Sequence, residues 1–395
     1  MLTKYPQATG GGLQALLNSA DFFLPLSDNG DGTVDTTLRR GTGTATMVRA
    51  TVGWTKLASG LWSQEASGAA RAHYSGADTA QGSYLGFNSE AAGIQLVTPT
   101  AAIRDMSDAA WVATNATTGV TINSISGADG ACKSLGASAA NGTLVFTLVA
   151  AASTRTYSCF IKRLSGTGTI EIGQWASAGA ASWSVDVTSL INSDTFTRVS
   201  VTGSFLDAAF GIRIVTSGDS IAVDFNQFEA GSVATSPMDA AGAVRNMDLL
   251  TYPSAGNIDS TVGTVYAEIT PFQVKNNGVA KGIVGGASGT SAPMYLSNVT
   301  SLLSIFDGAQ VTFDDPGLPL ATPTKVATVW SGTVSNGFIN GTQGTPGVFD
   351  GNLNMGATMG IGNLATSSSP LTGPIKNVRI WKRALTLAEL ALLTT

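Results

Sequence analysis

Histidine occurs once in this chain and cysteine twice, and charged side chains make up only 12% of its 395 residues, where roughly 25% is usual for a globular protein. Each scarcity excludes something. A zinc centre built from several Cys and His ligands cannot be assembled within one chain. A Ser–His–Asp triad would have to use His73, and no G-x-S-x-G nucleophile motif stands elsewhere to use it. The two cysteines and the length exclude a disulfide-stapled miniprotein. No apolar stretch reaches the ~18 residues that span a bilayer, and the longest candidate, Leu144 to Ala152, is interrupted by Thr147. The 21 Lys and Arg are scattered among 26 Asp and Glu, giving a net charge of −5. Without a basic patch to displace counterions from phosphates, nucleic acid is not an expected partner. The N-terminus lacks the continuous apolar core of a signal peptide. The expectation is a chain kept in the cytoplasm where it is made, or leaving it by another route. Cys132 and Cys159 then read as free, buried thiols.

What is abundant is glycine, 47 residues, set among Ser, Thr, Asn and Asp that cut short apolar or alternating runs. GTLVFTLVA (142–150), TYSCFIKRL (156–164), TRVSVTGSF (197–205), FGIRIVTSG (210–218) and SIAVDFNQFEAG (220–231) are such runs. In Ser220–Phe228, Ile221, Val223 and Phe225 fall on one face and Ala222, Asp224 and Asn226 on the other, the period of a half-buried strand. Short strands about ten residues apart, with turn residues between, read as all-β antiparallel sandwiches. Asn340–Gly341 is a type I′ hairpin signal. Helix signals are few. Gly12–Phe23 is a weak one. Thr386–Leu393 is the best, with Thr386 and Glu389 spaced as a capping box and Leu387, Leu390 and Leu393 on one face.

The length implies two or three units. Residues 1–45 read as an N-terminal docking arm, with Tyr5, Leu16, Phe22 and Phe23 among apolar residues that have little obvious core of their own. Residues 46–105 are irregular strands, 106–240 a first sandwich, 232–248 a linker by composition, and 249–395 a second sandwich closed by the short helix. An alternative architecture lets residues 20–100 complete the second sandwich, with the first inserted between.

Two passages carry a resemblance. In Ala222–Asp248, Gln227, Glu229 and Gly231 are followed by Ala234–Thr235–Ser236, Pro237, Arg245 and Asp248. This resembles the end of a carbohydrate-binding-module-like jelly roll found in tailed-bacteriophage structural proteins, and residues 84–120, ending near Trp111, resemble its lead-in. The C-terminal pieces KVATVW (325–330), GFINGTQ (337–343), MGIGN (359–363) and LTGPIKNVRIWKRALTLAELALL (371–393) are similar to concanavalin-like, laminin-G-type lectin domains. The resemblance implies a virion structural protein, assembled in the host cytoplasm and typically trimeric. Its modules would be a jelly roll and a concanavalin/laminin-G-like sandwich, and the arm would dock on other virion proteins. It implies a tail-associated fibre or adhesin contacting host surface polysaccharide. A capsid decoration protein that stabilises the shell is the alternative, and a glycan-active enzyme a further one.

The site candidates follow. Trp175 and Trp183 flank a loop of small residues and are the candidates for stacking on sugar, against burial between sheets. Trp111, Trp330 and Trp381 lie in strand-like runs and read as core. Laminin-G-type domains often bind calcium, and Asp307 and Asn340 are put forward as ligands on that ground. The stretch 27–35 (SDNGDGTVD) lacks the ligands of a calcium loop at its ends and reads as a hairpin turn. Glycoside hydrolysis needs two carboxyls roughly 5–10 Å apart in a cleft. Asp224, Glu229, Glu268 and Asp314–Asp315 are available, the last pair reading first as a turn. No catalytic residue is assigned, and the expectation is a non-enzyme. His73 reads as a solvated loop or strand residue.

Overall fold

Strands account for 51% of the chain and helix for 6%, as the alternating runs and the frequent glycine turns imply. The structure is a computed structural model that describes residues 10–148, 153–175, 181–205, 208–240, 242, 244–273, 280–286, 291–297, 300, 302–313, 317–365 and 369–395. Tyr5 and Asp314–Asp315 lie outside them.

The jelly roll consists of two five-stranded antiparallel sheets. One runs Trp111–Thr114, Gly142–Leu148, Ala208–Ile214, Ile170–Trp175, Ala181–Asp186; the other runs Ala116–Ser124, Gly127–Ala137, Ser220–Ala230, Ser153–Ser165, Thr197–Phe205. Inward-facing Phe146, Tyr157, Phe210 and Phe228 fill the space between them, and Phe210 stacks on Phe228 at 4.1 Å between ring centroids. Cys132 and Cys159 are buried and free. Their strands flank Ser220–Ala230 on opposite sides, two strand spacings apart and beyond disulfide reach.

The second sandwich has a nine-stranded sheet built around Val262–Ile269, Thr324–Ser331 and Gly373–Trp381, and a seven-stranded sheet around Lys281–Gly286, Thr358–Ile361 and Leu249–Pro253. Both sheets take strands from the first hundred residues. Phe22–Leu24 and Tyr84–Ser89 pair with Gly373–Trp381, and Thr46–Val48 pairs with Leu249–Pro253. The chain therefore starts this sandwich, leaves to build the jelly roll, and returns, which is the inserted architecture.

The docking-arm expectation is corrected for this reason at Leu16, Phe22 and Phe23; Tyr5 lies outside the described residues. Phe22 is wholly buried, pairs with Ile380 and meets Tyr252 edge-on at 5.7 Å. Leu16, on the helix Gly10–Asn18, is buried against the C-terminal helix cluster. Phe23 is half-buried beneath the Arg379 guanidinium, 3.5 Å from its ring centroid. Arg379 also donates to the Leu17 carbonyl at 3.1 Å. The face of Gly373–Trp381 that alternation would leave wet is thus covered by the N-terminal segment. The helix expected over 12–23 stops at Asn18 because Asp21 donates its backbone N–H to the Ile380 carbonyl at 2.9 Å, which draws the following residues into the sheet. Among the described residues, no helix is long and apolar enough to cross a membrane.

Local signals behave as chemistry requires. Asn340 and Gly341 have φ of 46° and 80°, as a type I′ turn needs. Thr386 and Glu389 form a reciprocal capping box on the helix Leu387–Thr394. Asp28 and Asp31 accept backbone N–H bonds inside their own hairpin turn, a turn rather than a calcium loop.

Candidate functional site

The stretch 232–248, a linker by composition, is the centre of a buried ionic hub. Asp248 accepts from Arg49 Nη1 at 2.8 Å and from Arg71 Nη2 at 2.6 Å. Glu90 accepts from Arg71 at 2.7 Å and lies 3.1 Å from Arg245 Nη1. Its other oxygen takes the Ser236 backbone N–H at 2.9 Å. All five charged groups are under a tenth exposed. Burial alone would raise the Glu90 carboxyl and lower the Arg71 guanidinium. Arg245 and Arg71 hold Glu90 well below the usual carboxylate range, and Asp248 and Glu90 hold Arg71 above its ordinary value. The resembling motif residues belong to this junction. Gln227 Nε2 and Thr235 Oγ1 each donate to the Glu229 carboxylate at 2.5 Å, and the Gln227 side-chain oxygen accepts the Met238 N–H at 2.9 Å.

Because the lead-in covers it, the strand Ser220–Ala230 is buried on both faces rather than half-buried. Arg104 holds Asp224 with two bonds of 3.0 Å, and Leu96 donates its N–H to Phe228 O at 2.8 Å. Phe225 takes φ 49° where the pairing register slips.

A cleft of about 400 Å³ opens beside the hub, between the two sandwiches. The hairpin Gly53–Lys56/Trp62–Glu65 supplies one wall. Its register sets Lys56 opposite Trp62, and alternation puts Trp54 on the same face as Lys56. Trp54 meets Phe225 edge-on at 4.8 Å and Trp62 meets Phe160 at 5.2 Å, so the hairpin is anchored on the jelly roll. His73, Leu85 and Asn88 come from the adjoining strands of the second sandwich, Glu90 from the residue after Tyr84–Ser89, Phe272 from the loop after Val262–Ile269, and Arg198 from the jelly roll. The loop at 75–79 closes the end. Arg198 N–H donates to Ala77 O at 2.7 Å and Thr79 N–H to Phe196 O at 2.8 Å. Gly76, at φ 86°, is required there. A Cβ would lie 3.0 Å from Asp78 Oδ1 and 3.1 Å from Lys56 Nζ.

His73 is half-buried and lies 5.0 Å from the Phe272 ring. Burial lowers its pKa to about 4; Glu90 opposes the shift, while Arg71 and Lys56 add to it. It is neutral at physiological pH, not a solvated histidine. Lys56 Nζ donates to Ser75 O at 2.8 Å and lies 3.5 Å from Asp78. Burial lowers its pKa, with Asp78 opposing. Asn88 is buried and its side-chain oxygen has no hydrogen-bond partner, nor have the indole nitrogens of Trp54 and Trp62.

Trp175, one of the expected stacking pair, does not line this cleft. Trp175 is wholly buried against Val145 and Ala209, so its ring offers no face to a sugar. Trp183 sits on the strand Ala181–Asp186, opposite Gln174, and its side chain is outside the described residues. Trp111, Trp330 and Trp381 are buried, as their strands imply. Asp307 accepts the Ala309 N–H in its own turn and the Asp350 N–H from a distant segment, and Asn340 accepts the Lys325 N–H from the start of the neighbouring strand; each carboxylate or amide oxygen named is engaged by backbone. Among the described residues, no group of three or more His, Cys, Asp or Glu is placed to hold a metal. Of the carboxylates, Glu268 accepts from Tyr266 and Asn377, while Asp224 and Glu229 are buried and bonded. Sequence reasoning missed the cleft. Its signals, Trp54 and Lys56 alternating opposite Trp62 and the lone His73, meet only through the insertion.

Residues 246–391 match the family model described as the concanavalin A-like lectin/glucanases superfamily. No curated protein matches the chain. Among solved structures, domain 4 of the extracellular arabinanase AbnA of Geobacillus stearothermophilus, in complex with arabinotriose, is 18% identical. That likeness covers 38% of this chain and 73% of that one, at a TM-score of 0.32. The CBM40 of a Ruminococcus gnavus sialidase, bound to α2,3-sialyllactose, is 15% identical over 37% of this chain and 92% of its own, at 0.29. The tandem CBM22 modules of Paenibacillus barcinonensis Xyn10C are 10% identical over 75% and 99%, at 0.26. None of these scores reaches 0.5, and no ligand or activity is carried over from them.

Proposed function

We propose that this chain is a non-catalytic glycan-binding protein whose site is the cleft between its sandwiches. We propose further that it serves in a tailed-phage particle as a tail-associated fibre or adhesin for host surface polysaccharide. The observation that carries the glycan reading is the make-up of the cleft. The rings of His73, Phe272, Trp54 and Trp62 stand beside Asn88, Ser236, Lys56 and Arg198. Sugars present apolar C–H faces to rings and hydroxyls to polar side chains, and a mostly apolar cleft with a few convergent polar groups suits them. The concanavalin A-like match over 246–391 supports the same reading.

Binding is favoured over hydrolysis by the charge states. Among the described residues lining the cleft, Glu90 is the sole carboxylate, and Arg245 and Arg71 keep it ionised. A glycosidase needs a second carboxyl and one that holds a proton. The particle role is supported by the resemblance of residues 84–120 and 222–248 to phage structural proteins, among which trimers are typical. A capsid decoration protein is the second reading, and it differs in copy number.

Two experiments test this. A glycan array with the full chain and with Phe272→Ala is expected to show retention of a glycan class that the variant loses by about tenfold or more; an array silent for the full chain would sink the glycan reading. Quantitative mass spectrometry of separated heads and tails is expected to find a few to a few dozen copies on tails. Hundreds on heads would establish the decoration role instead, and absence from particles would end the virion reading.

A further inference from the structure

We infer that the cleft selects glycans bearing a carboxylate, with Arg198 as the carboxylate's partner; this rests on the cleft being the glycan site. The inference comes from the state of each charge on the wall. Glu90 is shared by Arg71 and Arg245. Lys56 faces Asp78 at 3.5 Å, and His73 is neutral. Arg198 differs from them. Its guanidinium lies 5.6 Å from the Phe160 ring centroid and donates to Ser158 Oγ at 3.1 Å. Its Nε is buried with no hydrogen-bond partner, and among the described residues no carboxylate lies within ion-pair distance. Burial lowers the Arg198 pKa, and Glu229 and then Glu90 raise it, each from beyond ion-pair distance. The Glu229 oxygens are already taken by Thr235 and Gln227, and its own carboxyl is pushed up by burial.

An unpaired guanidinium in a partly dehydrated cleft is in electrostatic deficit. A carboxylate entering the cleft removes it with charge-assisted bonds, and the planar fork suits two parallel N–H···O contacts. A neutral sugar has no such gain, since its hydroxyls already bond water equally well. Lys56, only partly offset by Asp78, adds attraction of the same sign.

The test uses the full chain, with trigalacturonate and the α2,8-linked sialic acid trimer as probes, each against its carboxyl-reduced form, by titration calorimetry. At least one acid is expected to bind about tenfold or more tightly than its reduced form. Arg198→Gln should bring that acid down to the reduced form's affinity, and Arg198→Lys, which keeps the charge and loses the fork, should fall between. The Lys variant also keeps the test valid if the Gln variant does not fold. Equal binding of acid and reduced forms overturns the inference and leaves the glycan reading standing. Failure of both acids to bind overturns it too, and neutral glycans on the array then show whether the glycan reading fails with it. An acid preference unchanged in Arg198→Gln refutes the role of Arg198.

Discussion

Two clusters of charged side chains meet at the junction of the sandwiches, and they use the same kinds of residue to opposite ends. In the hub, three arginines and two carboxylates are buried and bridged at 2.6 to 3.1 Å. In the cleft, only two positions along the chain from Arg71, His73 is held neutral and Arg198 has no acidic partner within reach. The hub has already used its electrostatic energy on the fold, so it has little to offer a ligand. The cleft has left some unspent. A buried charge is thus informative through its partners rather than its type. The paired ones tie together segments of the chain as far apart as Arg49 and Asp248, and the unpaired one marks where a ligand gains most.

That comparison can be broken at several points. The largest effect is expected for Asp248→Ala, which leaves Arg49 and Arg71 facing each other without their shared anion. Breaking a buried pair from one side costs about 3–5 kcal/mol, and calorimetry should show a marked fall in Tm. A change of less than about 1 kcal/mol would mean that the buried ion pairs contribute little to holding these segments together. Phe22→Ala is expected to cost a similar amount, about 3–5 kcal/mol, because the ring is wholly buried in the second sandwich. If Phe22 were a docking residue, denaturant unfolding of the isolated chain would be unchanged.

His73 gives a smaller effect, and one that depends on pH. Its folded pKa, about 4, lies below the unfolded value near 6.5. Between those values the unfolded chain binds the extra proton. Its contribution is therefore complete above about pH 6.5 and declines as pH falls toward 4, by at most about 3 kcal/mol. His73→Gln should remove that slope from a stability–pH profile. The further loss expected at lower pH, where the hub's Glu90 takes up its proton, should remain. An unchanged slope between pH 6.5 and 4 would return His73 to the solvated reading. The smallest effect is set at the outer surface. Thr386→Ala removes the capping box and should cost about 1 kcal/mol, with no change in glycan binding.

What could be read from the chain in advance was local. The strands at 142–148, 153–165 and 197–205, the turn at Asn340–Gly341 and the box at Thr386–Glu389 each depend on side chains within a few residues of one another. The stretch 232–248 misled because buried and solvated polar residues are spelled alike. Arg49 and Asp248 are partners 199 positions apart, and no spacing rule covers that. The arm misled for a related reason. Phe22 and Leu16 have no core nearby in sequence, and their core is supplied by residues after 249. Trp175 followed the same rule, since a tryptophan beside a small-residue loop is stacked or buried according to what covers it, here Val145 and Ala209 from strands of its own sheet.

The sequence alone determined the all-β class, the strand segments and the turns between them, because backbone propensity, side-chain alternation and capping act over a few residues. The tertiary structure decided that the second sandwich is begun before the jelly roll and finished after it. It also decided which charges are paired and where a cleft remains. Burial and ion pairing depend on what lies across a gap in space, and that partner can stand anywhere along the chain.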